Sequence, residues 1–133
     1  MSTPDPCPCG RTDAKGRAVP YAACCGRYLD GGAAVPDAEQ LMRSRYTAFV
    51  RGRTDWLQAT WHPSTRPASL EVEPGLKWLG LAVRDHRVTG PDTAEVEFVA
   101  RSRLAGRASR LHERSRFVRE GGRWWYVDGD IFE

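Results

Sequence analysis

Two periodicities divide the chain. Leu41, Met42, Tyr46, Phe49 and Val50 recur at helical spacing and mark one apolar helix face. Asp37, in the segment Asp37-Ala-Glu-Gln40, caps the start of that helix, and Gly52 stands where it should stop. The opposite side carries Glu39, Arg43 and Arg51, with Glu39 and Arg43 spaced as an i,i+4 ion pair on a solvated face. Gly31, Gly32 and Pro36 form a linker before it. Thr54 is the expected cap of a second, shorter helix through Trp56, Leu57 and Trp61, and Pro63 opposes its continuation. The segment TWHPSTRP then reads as a rigid loop that displays Trp61, His62 and Arg66.

From Glu73 onward the period shifts towards two, and turn signals alternate with strand-like runs. LKWLGLAVRDHRV is followed by a turn at TGPD, TAEVEFVARSR by a turn near Gly106, and LHERSRFVRE by Gly121-Gly122 and RWWYVDGDIF. Helices first and an antiparallel meander afterwards predict an α+β domain, its helices packed across one face of a curved sheet that closes a concave pocket. That outline fits a nuclear transport factor 2-like cone, as it fits other α+β sheets.

Alternation assigns side chains to faces. Leu111, Glu113, Ser115 and Phe117 share one face of their strand, a mixture of bulk and polarity that suits a cavity wall. His112, Arg114, Arg116 and Val118 share the other, which looks solvated. On the preceding strand Arg101 lies with Glu97 and Val99, opposite Ala94, Val96, Phe98 and Ala100. Arg101 and Glu113 are therefore expected either as a buried pair inside the cavity or as an exposed cross-strand pair. His62 and His112 are candidate proton carriers, with loop hydrogen bonding as the plainer alternative. Trp61, Trp78, Trp124 and Trp125 either fill the core or line the cavity. Ser115 lacks a G-x-S-x-G setting, and His62, Asp85 and His86 have no metal-ligand spacing.

Composition narrows the functions. The chain of 133 residues suits one main domain, and 41% hydrophobic content with five tryptophans supports a packed interior. Its net charge of +3 comes with acidic residues interleaved throughout, so no concentrated basic face points to nucleic acid. No P-loop or dinucleotide fingerprint appears. Without a long apolar run or a signal-type N-terminus, a cytoplasmic protein with no membrane contact is expected.

All four cysteines, Cys7, Cys9, Cys24 and Cys25, fall within the first 25 residues. In a reducing compartment, clustered thiols point to metal or redox chemistry rather than to disulfides. Four thiolates match a tetrahedral structural Zn2+ site, and an adjacent Cys-Cys pair suits one metal better than a strained vicinal disulfide. A redox dithiol and unligated thiols are the alternatives.

CPCG followed by YAACCGRYL resembles the SEC-C zinc motif, although 14 residues separate Cys9 from Cys24, a longer gap than usual. AEQLMRSRYTAFV, TWHPSTR, WLGL, VEFVARSR, LHERSRFVRE and GRWWYVDG together resemble the bacterial YchJ family of uncharacterised proteins. That resemblance implies a SEC-C-like zinc-binding knuckle over residues 1–30 and a nuclear transport factor 2-like domain over 31–133. It carries metal binding onto Cys7, Cys9, Cys24 and Cys25, and a cavity onto Trp61, His62, Arg66, His112, Glu113 and Ser115. The chain ends at Glu133 without the second cysteine motif of some relatives.

The expected function is that of a zinc-stabilised adaptor or small-ligand-binding protein, with a protein partner on the knuckle, a small molecule in the cavity, or a dimer. The alternative is an enzyme in which His62 or His112 moves a proton while Arg101, Glu113 and Ser115 orient a small polar substrate. Contact with nucleic acid through Arg11, Lys15, Arg17 and Arg27 is the third reading.

Overall fold

A computed structural model describes residues 5–132. A 3-10 turn (Tyr21–Ala23) and the short helix α1 (Gly26–Leu29) precede α2 (Ala38–Arg51) and α3 (Thr54–Ala59), and four strands follow. The strands β1 (Lys77–Gly90), β2 (Thr93–Leu104), β3 (Arg107–Glu120) and β4 (Arg123–Phe132) pair antiparallel in the order β1-β2-β3-β4. This is an α+β, nuclear transport factor 2-like cone with an N-terminal cysteine knuckle.

Local chemistry accounts for the element boundaries. The Asp37 carboxylate accepts a hydrogen bond from the Gln40 N–H at 2.8 Å, so α2 starts where its cap predicts. Gly52 ends it in the left-handed region at φ 68°, which a residue with a Cβ adopts only at a cost. The β2–β3 connection needs positive φ at both Ala105 and Gly106, and the β3–β4 connection uses Gly121 and Gly122 at positive φ. Register irregularities interrupt the β1–β2 pairing in three places and the β3–β4 pairing beside Phe117. Bulges of this kind bend and twist strands, which curves the sheet around α2.

The second helix departs from expectation. Thr54 is its first residue rather than its cap; the preceding position is Arg53, whose side chain caps nothing. Arg53 is instead drawn into ion pairs with Asp30 at 2.7 Å and Asp55 at 3.0 Å. The helix also stops before Trp61, because backbone pairing with β4 competes for the chain. The Tyr126 N–H donates to the Thr60 carbonyl at 2.8 Å, and the His62 N–H to the Tyr126 carbonyl at 2.7 Å.

One apolar core joins the helices, the sheet and the knuckle. Leu41, Met42, Tyr46 and Ala48 of α2 meet Ala94, Val96, Phe98 and Ala100 of β2 and Phe117 of β3, and all four cysteines are buried in the same cluster. Fully buried side chains such as Leu41 and Phe117 each contribute about 2–3 kcal/mol by burial. Among the described residues no helix is long and apolar enough to cross a membrane.

Candidate metal centre and ligand cavity

The segment around the cysteines has little regular structure to hold it. A turn headed by Asp13, whose carboxylate accepts from the Lys15 and Arg17 N–H groups, returns the chain so that the Cys7 N–H meets the Val19 carbonyl at 2.9 Å. The Sγ atoms of Cys7, Cys9, Cys24 and Cys25 thereby come within 4.8 Å of one another, with Cys9 and Cys24 3.6 Å apart and Cys24 and Cys25 4.0 Å apart. Sulfurs on a tetrahedron around a zinc-type ion, bonded at about 2.3 Å, lie about 3.8 Å apart. The donor set therefore fits a single metal ion.

Four thiols this close cannot ionise together unaided. Hydrogen bonding with Cys25 draws Cys24 down to about 6, and hydrogen bonding with Cys24 takes Cys7 below the usual thiol range. Cys9 and Cys25 are pushed above it, chiefly by Cys24. A divalent cation bound there would supply the charge that holds all four as thiolates. Arg11 supports the cluster from outside, its Nε donating to Cys24 Sγ at 3.3 Å.

Fastenings to α2 fix the knuckle on the domain. Arg43 donates to the Cys9 carbonyl at 2.9 Å while keeping its ion pair with Glu39 at 3.1 Å. Cys7 Sγ lies 3.6 Å from Thr47 Oγ1, and Arg27 reaches Gln40 Oε1 at 3.1 Å. Arg11 and Arg27 are therefore engaged within the fold, which leaves Lys15 and Arg17 as the exposed basic groups of the set singled out above.

Behind α2, between the helix and the concave sheet face, lies a cavity of about 220 Å³. Its walls are largely aromatic and apolar, including Tyr46, Phe49, Phe98, Leu111 and Phe117, and its polar groups are few: Arg45, Glu113, Ser115 and the Tyr126 hydroxyl. Glu113 Oε2 accepts from Ser115 Oγ at 2.5 Å and from the Tyr126 hydroxyl at 3.4 Å. Gly129 makes room for that carboxylate, since a Cβ there would come within 2.6 Å of Oε2.

Arg45 is the cation of this cavity, only 6% exposed. Its Nη1 donates to the Leu57 carbonyl at 2.9 Å and to Thr60 Oγ1 at 2.7 Å, and its guanidinium lies 4.4 Å from the Tyr126 ring centroid and 5.1 Å from that of Trp61. Burial lowers its pKa to about 10, so it is still charged at neutral pH. No carboxylate of the described residues lies within ion-pair distance of it; Glu113 acts on it only through space. Burial also raises Tyr126 to about 12.

The residues singled out from the sequence divide between inside and outside. Trp61, Glu113 and Ser115 line the cavity, as does Trp78. Arg101 does not. It sits exposed on the outer sheet face opposite Arg110, while its strand neighbours Phe98 and Ala100 point inward, so alternation forbids the buried pair with Glu113. His112 also faces outward, its Nε2 2.9 Å from Glu97 and its ring against Phe132. Arg114 on the same face joins Glu95, Asp85 and Glu97.

His62 lies in the loop, held by Ser64 at 2.7 Å and Glu120 at 3.0 Å, and Arg66 is exposed with its Nε on the Trp61 carbonyl at 2.9 Å. Neither they nor His86 line the cavity. Arg45 and Tyr126 were not anticipated. Arg45 falls in phase with Leu41, Met42 and Phe49, and a charge inside an apolar helical stripe is the signal that marks it.

A family described as "YchJ, middle NTF2-like domain" matches residues 37–129. The chain is similar to a UPF0225 protein of Polaromonas naphthalenivorans, 65% identical over 133 residues, covering 96% of this chain and 98% of that protein. It is 64% identical over 129 residues to a UPF0225 protein of Methylibium petroleiphilum, covering 96% and 90%. Its fold is similar to the solution structure of a SEC-C motif containing protein from Rhodopseudomonas palustris, with a TM-score of 0.82, 30% identity and coverage of 97% and 100%. The crystal structure of a SEC-C motif containing protein from Psychrobacter arcticus gives a TM-score of 0.79 at 27% identity, covering 96% and 83%.

Proposed function

The chain belongs to the YchJ family, and from that premise we propose that it is a small-ligand-binding protein whose N-terminal segment is locked onto the binding domain by zinc. The observation that carries the reading is the cavity itself. It is concave, mostly aromatic, and equipped with a few convergent polar groups, the usual constitution of a ligand site. At about 220 Å³ it suits a small metabolite rather than a nucleotide cofactor.

In this reading Cys7, Cys9, Cys24 and Cys25 hold the zinc. The ion supplies folding energy and no chemistry, because four protein sulfurs leave no coordination position for a substrate. The cavity is the working surface, and the knuckle stiffens α2, which carries Arg45. Proton transfer by His62 or His112 has no geometric support, since both lie outside the cavity.

A ligand-observed NMR screen with small organic acids, alcohols and amides tests the cavity. The expected result is a set of binders whose signals vanish in Ala100→Leu, which fills the space beside a buried wall residue. Binders unaffected by Ala100→Leu, or none at all, would remove the reading.

A further inference from the structure

The charge on Arg45 is not balanced locally. An arginine this deeply buried is ordinarily paired, because removing a guanidinium from water without a counter-ion is costly. Among the described residues only Nη1 has hydrogen-bond acceptors, and no carboxylate comes within ion-pair reach. The Tyr126 and Trp61 rings cover the guanidinium and hold its plane, which pre-orients the edge that the protein leaves free. A second feature lies on the same cavity wall. The Trp78 indole Nε1–H is buried and has no hydrogen-bond partner among the described residues. A buried donor without a partner is rare in a folded protein and calls for one from outside the chain.

Resting on the reading of the cavity as a ligand site, we propose that its ligand is a small carboxylate with an apolar, flat body, its carboxylate bound to the free edge of Arg45. Three properties of the site select that class. A planar guanidinium edge matches a carboxylate with two parallel hydrogen bonds that satisfy both of its oxygens, whereas a phosphate or sulfate carries further oxygens into aromatic walls whose one unpartnered donor among the described residues is Trp78 Nε1–H. The body of the ligand meets Phe49, Phe98 and Leu111, which offer stacking and burial only. Glu113, bonded on Oε2 by Ser115 and Tyr126, offers an acceptor to a hydroxyl or amine on the body of the ligand and disfavours a second anionic group, which limits the ligand to one negative charge.

Isothermal titration of the metal-loaded protein with 4-hydroxybenzoate and with its neutral isostere 4-hydroxybenzamide tests this. The acid is expected to bind about tenfold tighter or more, the worth of a hydrogen bond to a charged partner in a buried site. Arg45→Met is expected to abolish that preference by weakening the acid far more than the amide, and Arg45→Lys to retain only part of it. Equal affinity for acid and amide would overturn the carboxylate assignment and leave the cavity standing as a ligand site. Failure of both probes to bind would overturn the cavity reading as well. The acid–amide comparison is made on the unaltered chain, so it decides even if Arg45→Met does not fold.

Discussion

The knuckle and the cavity lie on either side of α2 and are held together by opposite means. The knuckle has four buried sulfurs, a few backbone hydrogen bonds and almost no regular structure, so its shape depends on what those sulfurs bind. The cavity is enclosed by a four-stranded meander and a capped helix, so its shape is complete without a ligand. In the proposed reading one region needs an ion in order to hold its shape, and the other needs a ligand only in order to balance a charge. The two share a core through Leu41, Tyr28 and the cysteines, so loss of the ion should reach the cavity.

The sharpest way to break that comparison is to remove the ion. Cys9→Ser together with Cys24→Ser should abolish stoichiometric metal and lower the stability of the whole chain by on the order of 5 kcal/mol or more, since metal binding in such sites is folding free energy. Calorimetry should then show one transition moved downward. A strand-dominated transition at an unchanged temperature would mean that the regions are independent.

A smaller effect is expected from Arg11→Ala, which removes the donor to Cys24 Sγ without touching a ligand. Competition with a chelator should report metal affinity weakened about tenfold to hundredfold, with the cavity intact. Gly129→Ala perturbs only the other region. Its new Cβ would come within 3.0 Å of Glu113 Oε2, Cδ and Cγ and push that carboxylate off Ser115 and Tyr126, so the cost should be about 1–3 kcal/mol with full metal content retained.

The smallest effect concerns Tyr126. Burial raises its pKa to about 12, so the fold favours the neutral phenol. Stability from this group is complete below about pH 10, the unfolded value, and declines as pH rises towards 12. Ultraviolet titration should show a late-ionising tyrosine that disappears in Tyr126→Phe, while Tyr21, also raised to about 12, persists.

The two regions also differ in how openly the sequence displays them. The candidate metal ligands are every cysteine of the chain, and all four sit within the first 25 residues, so composition alone exposes them. The cavity is assembled from α2, the loop after α3 and all four strands, and only the alternation of faces gives access to it. That rule placed Glu113 and Ser115 inside with Phe117. The same rule sets Arg101 and His112 outside, where β2 and β3 present their charged face. Arg45 escaped because a helical stripe was read by its apolar members, and an arginine within it looks like an interruption until the missing counter-charge becomes visible. Thr54 misled for a related reason, since a favourable capping residue yields when Arg53 has better partners nearby.

The most direct test of the zinc-locked fold is X-ray absorption at the zinc edge on protein purified without added metal, combined with metal analysis of the same sample. One zinc per chain, bound by four sulfurs at about 2.3 Å, is the predicted result. Substoichiometric metal with four titratable thiols, or a first shell containing nitrogen or oxygen, would contradict it.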